Sequence, residues 1–496
     1  MKKTILLGTA ACLTIAGCAL ITPPNGADIL TETARAKIPG KWSASHSRGE
    51  VVPNWIRTFG DPELTRLVED AVTRNPDLAA AAARVEASRA AVRVAAASLY
   101  PRIAGKIMGE RQGQELGGSV SLGIDPPTLG GLGVDSSGGS ADSRSVDSSS
   151  QRWVYGLGIG AAWEADVWGR VRSKKASAKA ESGALEADYE FARLSLAAAV
   201  ASAYFTTIEA AQQAANAQET LDLYQDYLKL TDERKKQGHA SDFELAQIKS
   251  RTAGAQDALY VAQASRAQAI RAIEVVTSRY PAGKLGTRRS FPGQPKAVPS
   301  GLPAELLERR PDIIAAERRF AASFHRVHEA RTARLPRFAI SVTGGLGSAA
   351  LDGVGVLDAV MWSLAAGITQ PIFLGGELKA SQDIRTAEQR AAAASYTGTA
   401  LRAFEDVENA LAGEFYLRKR EGALSDMVES SGSAVTLGRA QLDQGHADMF
   451  AILRLAGENL AAKVELTKIR ASRLRERVNL HLALGGDFKG TGMPGK

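Results

Sequence analysis

Two periodicities alternate along this chain, and each appears twice. From Arg172 to Lys236 and from Leu378 to Asp443, small and apolar residues recur three and four apart with no proline. Leu194, Ala197, Ala201, Tyr204, Ile208 and Ala211 form a seam of the coiled-coil type. As helices the two stretches extend about 98 and about 99 Å at 1.5 Å per residue. Shorter helical patterns accompany each, from Pro76 to Leu99 and Asp242 to Ser278 in one half, and from Pro311 to Arg334 and Phe450 to Leu484 in the other. Their lengths, about 36 and 56 Å and about 36 and 53 Å, let two short helices match one long one. Elsewhere the period falls to two. Trp153, Tyr155, Leu157, Ile159, Ala161 and Trp163 alternate with mostly small residues, and the pattern returns at Phe338, Ile340 and Val342 and at Trp362, Leu364, Ala366 and Ile368. Arg102 to Glu110 is a weaker fourth strand. The expected fold is mainly α with β, long helices joined to strand hairpins at about 102–163 and 337–373. Strands of about ten residues with one apolar face suit a membrane barrel, in which the sheet itself pairs every backbone group. A soluble sandwich shares this periodicity.

The duplication extends to the turns. QGHASDF at 237–243 and QGHADMF at 444–450 lie 207 positions apart, between long helical stretches. Gly238 and Gly445 stop one helix in the left-handed conformation, and Ser241 and Asp448 cap the next, so both read as tips of helical hairpins. The same spacing pairs Gly169 with Gly376, whereas Asn75 aligns with Arg310 at a spacing of 235. The difference, 235 − 207 = 28, is an insertion in the first copy, and Gln112 to Ser150, rich in Gly, Ser and Asp, reads as its long surface loop. The chain divides into a leader at 1–17, an extended strap at 18–60, repeats at 61–299 and 300–486, and a tail at 487–496. Asp61-Pro62 opens the first helix. Four strands cannot close a barrel, since about eight are needed for a packed one, so several copies must combine. Two, three or four copies would all close.

Composition narrows the chemistry. The formal charge of +7 is dispersed along the helices, with no aromatic-interleaved basic patch, so no nucleic acid partner is expected. Lys2 and Lys3 precede an apolar run from Ile5 to Ile15, too short to span a bilayer, which reads as an export signal. It ends in Ile15-Ala16-Gly17-Cys18, which resembles a bacterial lipobox. That resemblance implies cleavage before Cys18, diacylglycerol on its thiol and an acyl chain on its new amino group, and Ala19 implies the outer membrane. With Cys12 inside the signal, the mature chain keeps one cysteine and forms no internal disulfide. His325 and His328 share a helical face, but no third ligand joins them, so no metal site is expected. Gly156 to Gly160 lies within a strand pattern and lacks the third glycine of a dinucleotide fingerprint. No nucleophile, base and orienting group assemble, so neither catalysis nor a cofactor is expected.

Three segments carry a family resemblance: NWIRTFGDPELTRLVEDAVTRNPDL at 54–78, LLERRPDIIAAERRFAASFHRVHEARTARLPRF at 306–338, and ITQPIFLGGELKAS at 368–381. They resemble the outer membrane efflux proteins, the TolC-like and OprM-like lipoproteins. The resemblance implies a homotrimer with a twelve-strand outer membrane β-barrel and a twelve-helix periplasmic α-barrel. Such a trimer docks by its helical tips on a periplasmic adaptor that links it to an inner membrane pump. The chain is then a passive exit duct for drugs or other small molecules. A type I protein secretion duct shares this architecture, and a trimeric surface adhesin is the more distant alternative. In the OprM-like pattern the turn glycine is followed five residues on by an apolar aperture residue and nine on by an acidic one. Here those positions hold Phe450 and Arg454, with Asp448 offering a different acidic ring. Phe450, Arg454 and Asp448 are thus expected at the periplasmic aperture, and Gly238, His239, Gly445 and His446 at the adaptor. Ser241 and Glu244 are spaced as a capping box, whereas Asp448 faces Ala451, so the second tip is the expected gate.

Overall fold

The computed structural model describes residues 22–34, 38–45, 47, 49, 51, 54–116, 148–286, 288–293, 297–351, 354–444, 446 and 448–486. The elements run α1 (Gly26–Ala34), a 3-10 turn at Trp55–Phe59, α2 (Pro62–Arg74), α3 (Pro76–Ala97), β1 (Arg102–Leu116), β2 (Ser148–Ala165), α4 (Arg170–Lys236) and α5 (Asp242–Val276). A 3-10 turn at Pro303–Glu305 then leads into α6 (Leu306–Arg309), α7 (Pro311–Thr332), β3 (Arg337–Leu351), β4 (Val354–Thr369), α8 (Glu377–Asp443) and α9 (Met449–Ala483). The leader at 1–17, Cys18, Gly445 and the tail at 487–496 lie outside the described residues.

Two expectations are corrected. The loop expected from Gln112 begins later, because β1 continues to Leu116 and β2 starts at Ser148, paired from Gln112↔Arg152 to Leu116↔Ser148. Backbone pairing satisfies N–H and C=O groups whatever the side chains, so the ladder outlasts the apolar alternation. Residues 117–147 lie outside the description. The strap is not wholly extended either. It contains α1 and the 3-10 turn, and it buries Ile29, Leu30, Trp42, Trp55, Ile56 and Phe59.

Two compact units result, and each takes parts of both sequence repeats. One contains Val94–Ser173 and Glu329–Ala380 and holds a single antiparallel sheet in the order β1-β2-β3-β4. Asp166 starts α4 by accepting from Val171 N at 3.0 Å and Arg172 N at 2.9 Å, and Glu164 binds the Arg170 guanidinium. Gly169 and Gly376, the repeat partners, both have positive φ, +79° and +88°, the left-handed bend that opens α4 and α8.

The second unit contains Ile21–Arg93, Lys174–His328 and Ser381–Lys496. Asp61 caps α2 through Glu63 N and Leu64 N and is itself buried, accepting from the Tyr204 hydroxyl at 2.9 Å and pairing with Arg288 at 3.3 Å. One core joins Trp55, Phe59, Leu64 and Leu67 to the α4 seam at Leu194, Ala197, Ala201, Tyr204 and Ile208. Full burial of an apolar side chain of leucine or isoleucine size contributes about 1.5–3 kcal/mol. A second core seats Ile29, Leu30 and Trp42 of the strap against α7 and α8 through Ile313, Phe320, Tyr396 and Val407. Trp42 Nε1 donates to Ser300 O, and Glu408 accepts from the Ser43 and Ala44 amides at 2.7 and 2.8 Å. The strap is thereby fixed to the connection between the repeats. Of the described helices, α4 alone holds a stretch long and apolar enough to cross a bilayer, and half of that stretch is buried within the chain.

Candidate functional site

The first tip is built as the repeat predicts, and the described residues of the second follow it. Gly238 has φ +78°, and His239 N donates to Arg234 O at 2.8 Å while Gly238 N donates to Lys235 O at 2.9 Å, the paired bonds of a Schellman turn. His446 N donates to Gln441 O at 2.9 Å, the equivalent bond in the second tip. His239 and His446 are both exposed at equivalent places. Ser241 and Glu244 form the full capping box, with Ser241 N to Glu244 Oε2 at 2.6 Å and Glu244 N to Ser241 Oγ at 3.2 Å. The Ser241 amide first, and then the Ser241 hydroxyl donating to Oε2 at 2.9 Å, hold the Glu244 carboxyl below its usual range. An ion pair between Lys235 and Asp242 crosses the first turn. In the second tip Asp448 accepts from Ala451 N at 3.0 Å, its only bond among the described residues.

Both tips rest on one apolar cluster of Tyr227, Leu245, Ile248, Met449 and Leu453. Phe450 is half-buried against that cluster. Arg454 is exposed and bonds Glu458 one turn on, Nη1 to Oε1 at 2.9 Å. The arginine in the expected acidic position is therefore paired with an acid on its own helix, a partner that a position-by-position comparison passes over. Asp448 is exposed as well as capping. Phe243 of the first tip is 75 % exposed, the most open apolar side chain there. Its signal in the sequence was its place directly after the Ser241-Asp242 cap, where solvent meets the helix start. His325 is half-buried, and burial followed by the neighbouring His328 lowers its pKa. No group of three or more metal-ligating side chains occurs among the described residues.

The sheet has two unlike faces. Directly paired residues point to the same side, so the register groups Ile107 with Leu157, Leu157 with Leu346 and Leu346 with Val360. Ile103, Ile159, Trp163, Ile340, Trp362 and Leu364 join that face, which has no charged side chain from 103 to 109, 155 to 163, 338 to 346 or 360 to 368. The other face is mostly small or polar, with Lys106, Gly158, Gly160, Thr343, Gly345 and Ser363, and also carries Met108 and Met361. A band of about nine to eleven residues per strand suffices to cross a bilayer.

The helices have an order of their own. Ser88 of α3 bonds Ser182 of α4, Ser177 of α4 bonds Ala322 O of α7, and α7 packs Ile313 and Phe320 against Tyr396 and Val407 of α8. Farther along, α5 lies on α4 through Thr252 and Leu259, α4 on α9 through Gln213 and Lys463, and α9 on α8 through Asn459 and Arg473. The order is α3 or α5, then α4, then α7 or α9, then α8. By connectivity α3 leads into β1, α4 leaves β2, α7 leads into β3 and α8 leaves β4; the sheet within its unit and the helices within theirs each have two open edges. Exposed apolar side chains mark both helical edges: Phe243, Tyr260, Val261 and Val275 on α5, and Ile384, Leu401, Tyr416, Met427 and Leu437 on α8. At 3.6 residues per turn each set falls within about 100° of arc.

Comparison with known proteins agrees with this geometry. A family model described as outer membrane efflux protein matches residues 67–278 and 302–486. The chain is 30% identical over 482 residues to the pyoverdine export outer membrane protein OpmQ of Pseudomonas putida, covering 96% of each. It is 31% identical over 475 residues to the outer membrane protein OprJ of Pseudomonas aeruginosa, covering 92% of each. The solved outer-membrane channel OprN superposes with a TM-score of 0.77 at 27% identity, over 91% of this chain and 98% of that one.

Proposed function

The chain belongs to the outer membrane efflux protein family, and from that premise we propose that it is the exit duct of a tripartite efflux system, closed by three copies of itself. Its fold is TolC-like and its place is the outer membrane. The observation that carries the reading is that the sheet, in the order β1-β2-β3-β4, and the helices, each within their own unit, end in two open edges. Pairing β4 with β1 of the next copy, and α8 with its α3 and α5, continues both layers in one step, and three copies supply twelve strands. The greasy sheet face then meets lipid and the small, polar face lines the lumen.

The proposal carries finer assignments, which rest on the lipobox-like sequence at 15–18 and on the family resemblance at the tips. Cys18 carries a diacylglycerol and an N-acyl chain that anchor the strap in the outer membrane. The tips at Gly238, His239, Gly445 and His446 meet a periplasmic adaptor, and an inner membrane pump supplies both cargo and energy. Phe450, Arg454 and Asp448 line the periplasmic aperture. The cargo is a small molecule, as in the pyoverdine export that names the OpmQ relative. The duct itself performs no catalysis.

Native mass spectrometry of the detergent-solubilised protein tests the closure. Three chains per particle are expected. Leu437→Glu on the α8 stripe and Val261→Glu on the α5 stripe are each expected to shift the population to single chains, because each buries an unpaired charge in the proposed seam. A two- or four-chain particle, or stripe variants as trimeric as the parent, would overturn the proposal.

A further inference from the structure

The small, polar face of the sheet holds a depression of about 710 Å³ whose floor is glycine. The register places Lys106, Gly158, Gly345 and Met361 in one transverse row across the four strands. Met108 and Gly156 stand in the next row, and Gly160, Thr343 and Ser363 in the row on the other side. The two central strands therefore offer bare backbone, while β1 and β4 raise the walls. With strands about 4.8 Å apart, those walls stand about 14 Å from one another.

Packing does not account for every glycine there. At Gly345 a Cβ would lie 2.8 Å from Leu157 O, so glycine is required. At Gly156 it would meet Met108 Cγ at 3.0 Å. At Gly158 and Gly160 the nearest atoms, Gly344 O and Thr343 Cγ2, are 3.6 Å away, ordinary contact distance. A methyl group would fit at both positions, yet both are bare. The furnishing is also specific. Met108 and Met361 flank the floor with polarizable sulfur, Thr343 Oγ1 and Ser363 Oγ lie 2.6 Å apart at one end, and Lys106 contributes a cation from the β1 wall. Thioethers favour aromatic rings, and bare β-backbone admits a flat body that side chains would hold off.

We propose that this glycine trough is a binding site for a flat aromatic anion, one per copy, on the lumen wall of the duct. The proposal rests on the duct reading only for the word lumen. The ring lies on Gly158 and Gly345 between Met108 and Met361, and its anionic group faces Lys106. Exported planar acids would pause there on the way out, and the trough would favour them over flexible anions of equal charge.

The test uses the full-length purified protein in nanodiscs, with naphthalene-2-sulfonate as probe and octane-1-sulfonate as its flexible counterpart. Equilibrium dialysis reads binding, and ionic current across a planar bilayer reads block. The naphthalene probe is expected to bind more tightly than the octane one. Gly158→Ala, which fills the floor without a clash, and Met361→Ala are each expected to weaken binding by about fivefold. Lys106→Gln is expected to do the same for both probes, through the loss of the charge. Equal affinity for the two sulfonates, or Gly158→Ala binding like the parent, would overturn the trough. A protein that binds the probe as expected but conducts no current would count against the duct reading and leave the trough standing.

Discussion

His481 of α9 is buried with no hydrogen-bond partner at either ring nitrogen among the described residues, stacked on Trp55 at 5.2 Å and 14°. Burial first, and the Arg477 guanidinium second, lower its pKa from 6.5 to about 3. Above pH 6.5 folded and unfolded chains both hold a neutral ring. As pH falls from 6.5 toward 3 only the unfolded chain gains the proton, so stability contributed by this site is lost across that window. At pH 5 the loss is about 2 kcal/mol per chain. His481→Phe keeps the stacking and removes the titration. It is therefore expected to shrink the difference in melting temperature between pH 7.5 and pH 5, followed by helical circular dichroism; an unchanged difference would remove His481 as its source. Tyr204 presents the complementary case, with burial and then the Asp61 hydrogen bond raising its pKa. Tyr204→Phe takes one donor from a buried carboxylate and should cost about 1.5–3 kcal/mol in chemical denaturation, whereas a cost near zero would show that Arg288 and the α2 amides satisfy Asp61 alone.

Among the elements, the two tips differ in fastening. Both close with the same 6→1 bond, from His239 to Arg234 and from His446 to Gln441. Only the first adds a reciprocal box and the Lys235–Asp242 pair. Removing either cap should cost about 1 kcal/mol of local helix stability. Hydrogen exchange should nevertheless show the Ala451 amide exchanging faster than that of Glu244 in the parent protein, and Ser241→Ala should abolish the difference. Slower exchange at Ala451 in the parent would reverse the ranking of the tips. The spacing of Ser241 and Glu244 was legible because capping is local. The strap was not legible, since Trp42 is held by Ser300 and Gly301, more than 250 positions away, and Ile29 and Leu30 by helices of the second repeat. A nine-residue helix such as α1 owes its stability to that packing rather than to its own pattern, so periodicity could not announce it. The ends of β1 and β2 escaped notice for a related reason, because ladder bonds continue through Gln, Ser and Glu where alternation stops.

At the scale of the whole molecule, repeat, strand count and helix lengths were readable together, because a duplication repeats its punctuation and a rod of about 100 Å admits few folds. The charge at the proposed aperture was only half readable, since Arg454 is visible in the sequence while its pairing to Glu458 depends on rotamer and helix face. That pair changes the expected outcome at the gate. In the proposed trimer, with Arg454 at the aperture, each copy would contribute one cation and one anion at successive turns, so the ring at this level would be electrically balanced rather than basic. Arg454→Asp removes the cation and adds an anion beside Glu458, a change of two charges per copy placed where the low-dielectric wall of a constriction intensifies their field. The reconstituted variant is expected to become markedly more cation-selective and, through repulsion between like charges around the ring, to open more often. Glu458→Gln should move selectivity the other way by exposing the unpaired arginines. Reversal potentials in a salt gradient and single-channel open times read both effects. If neither variant alters either quantity, Arg454 and Glu458 are an ordinary solvated pair, and the constriction must lie at Phe450 or at another level of the helices.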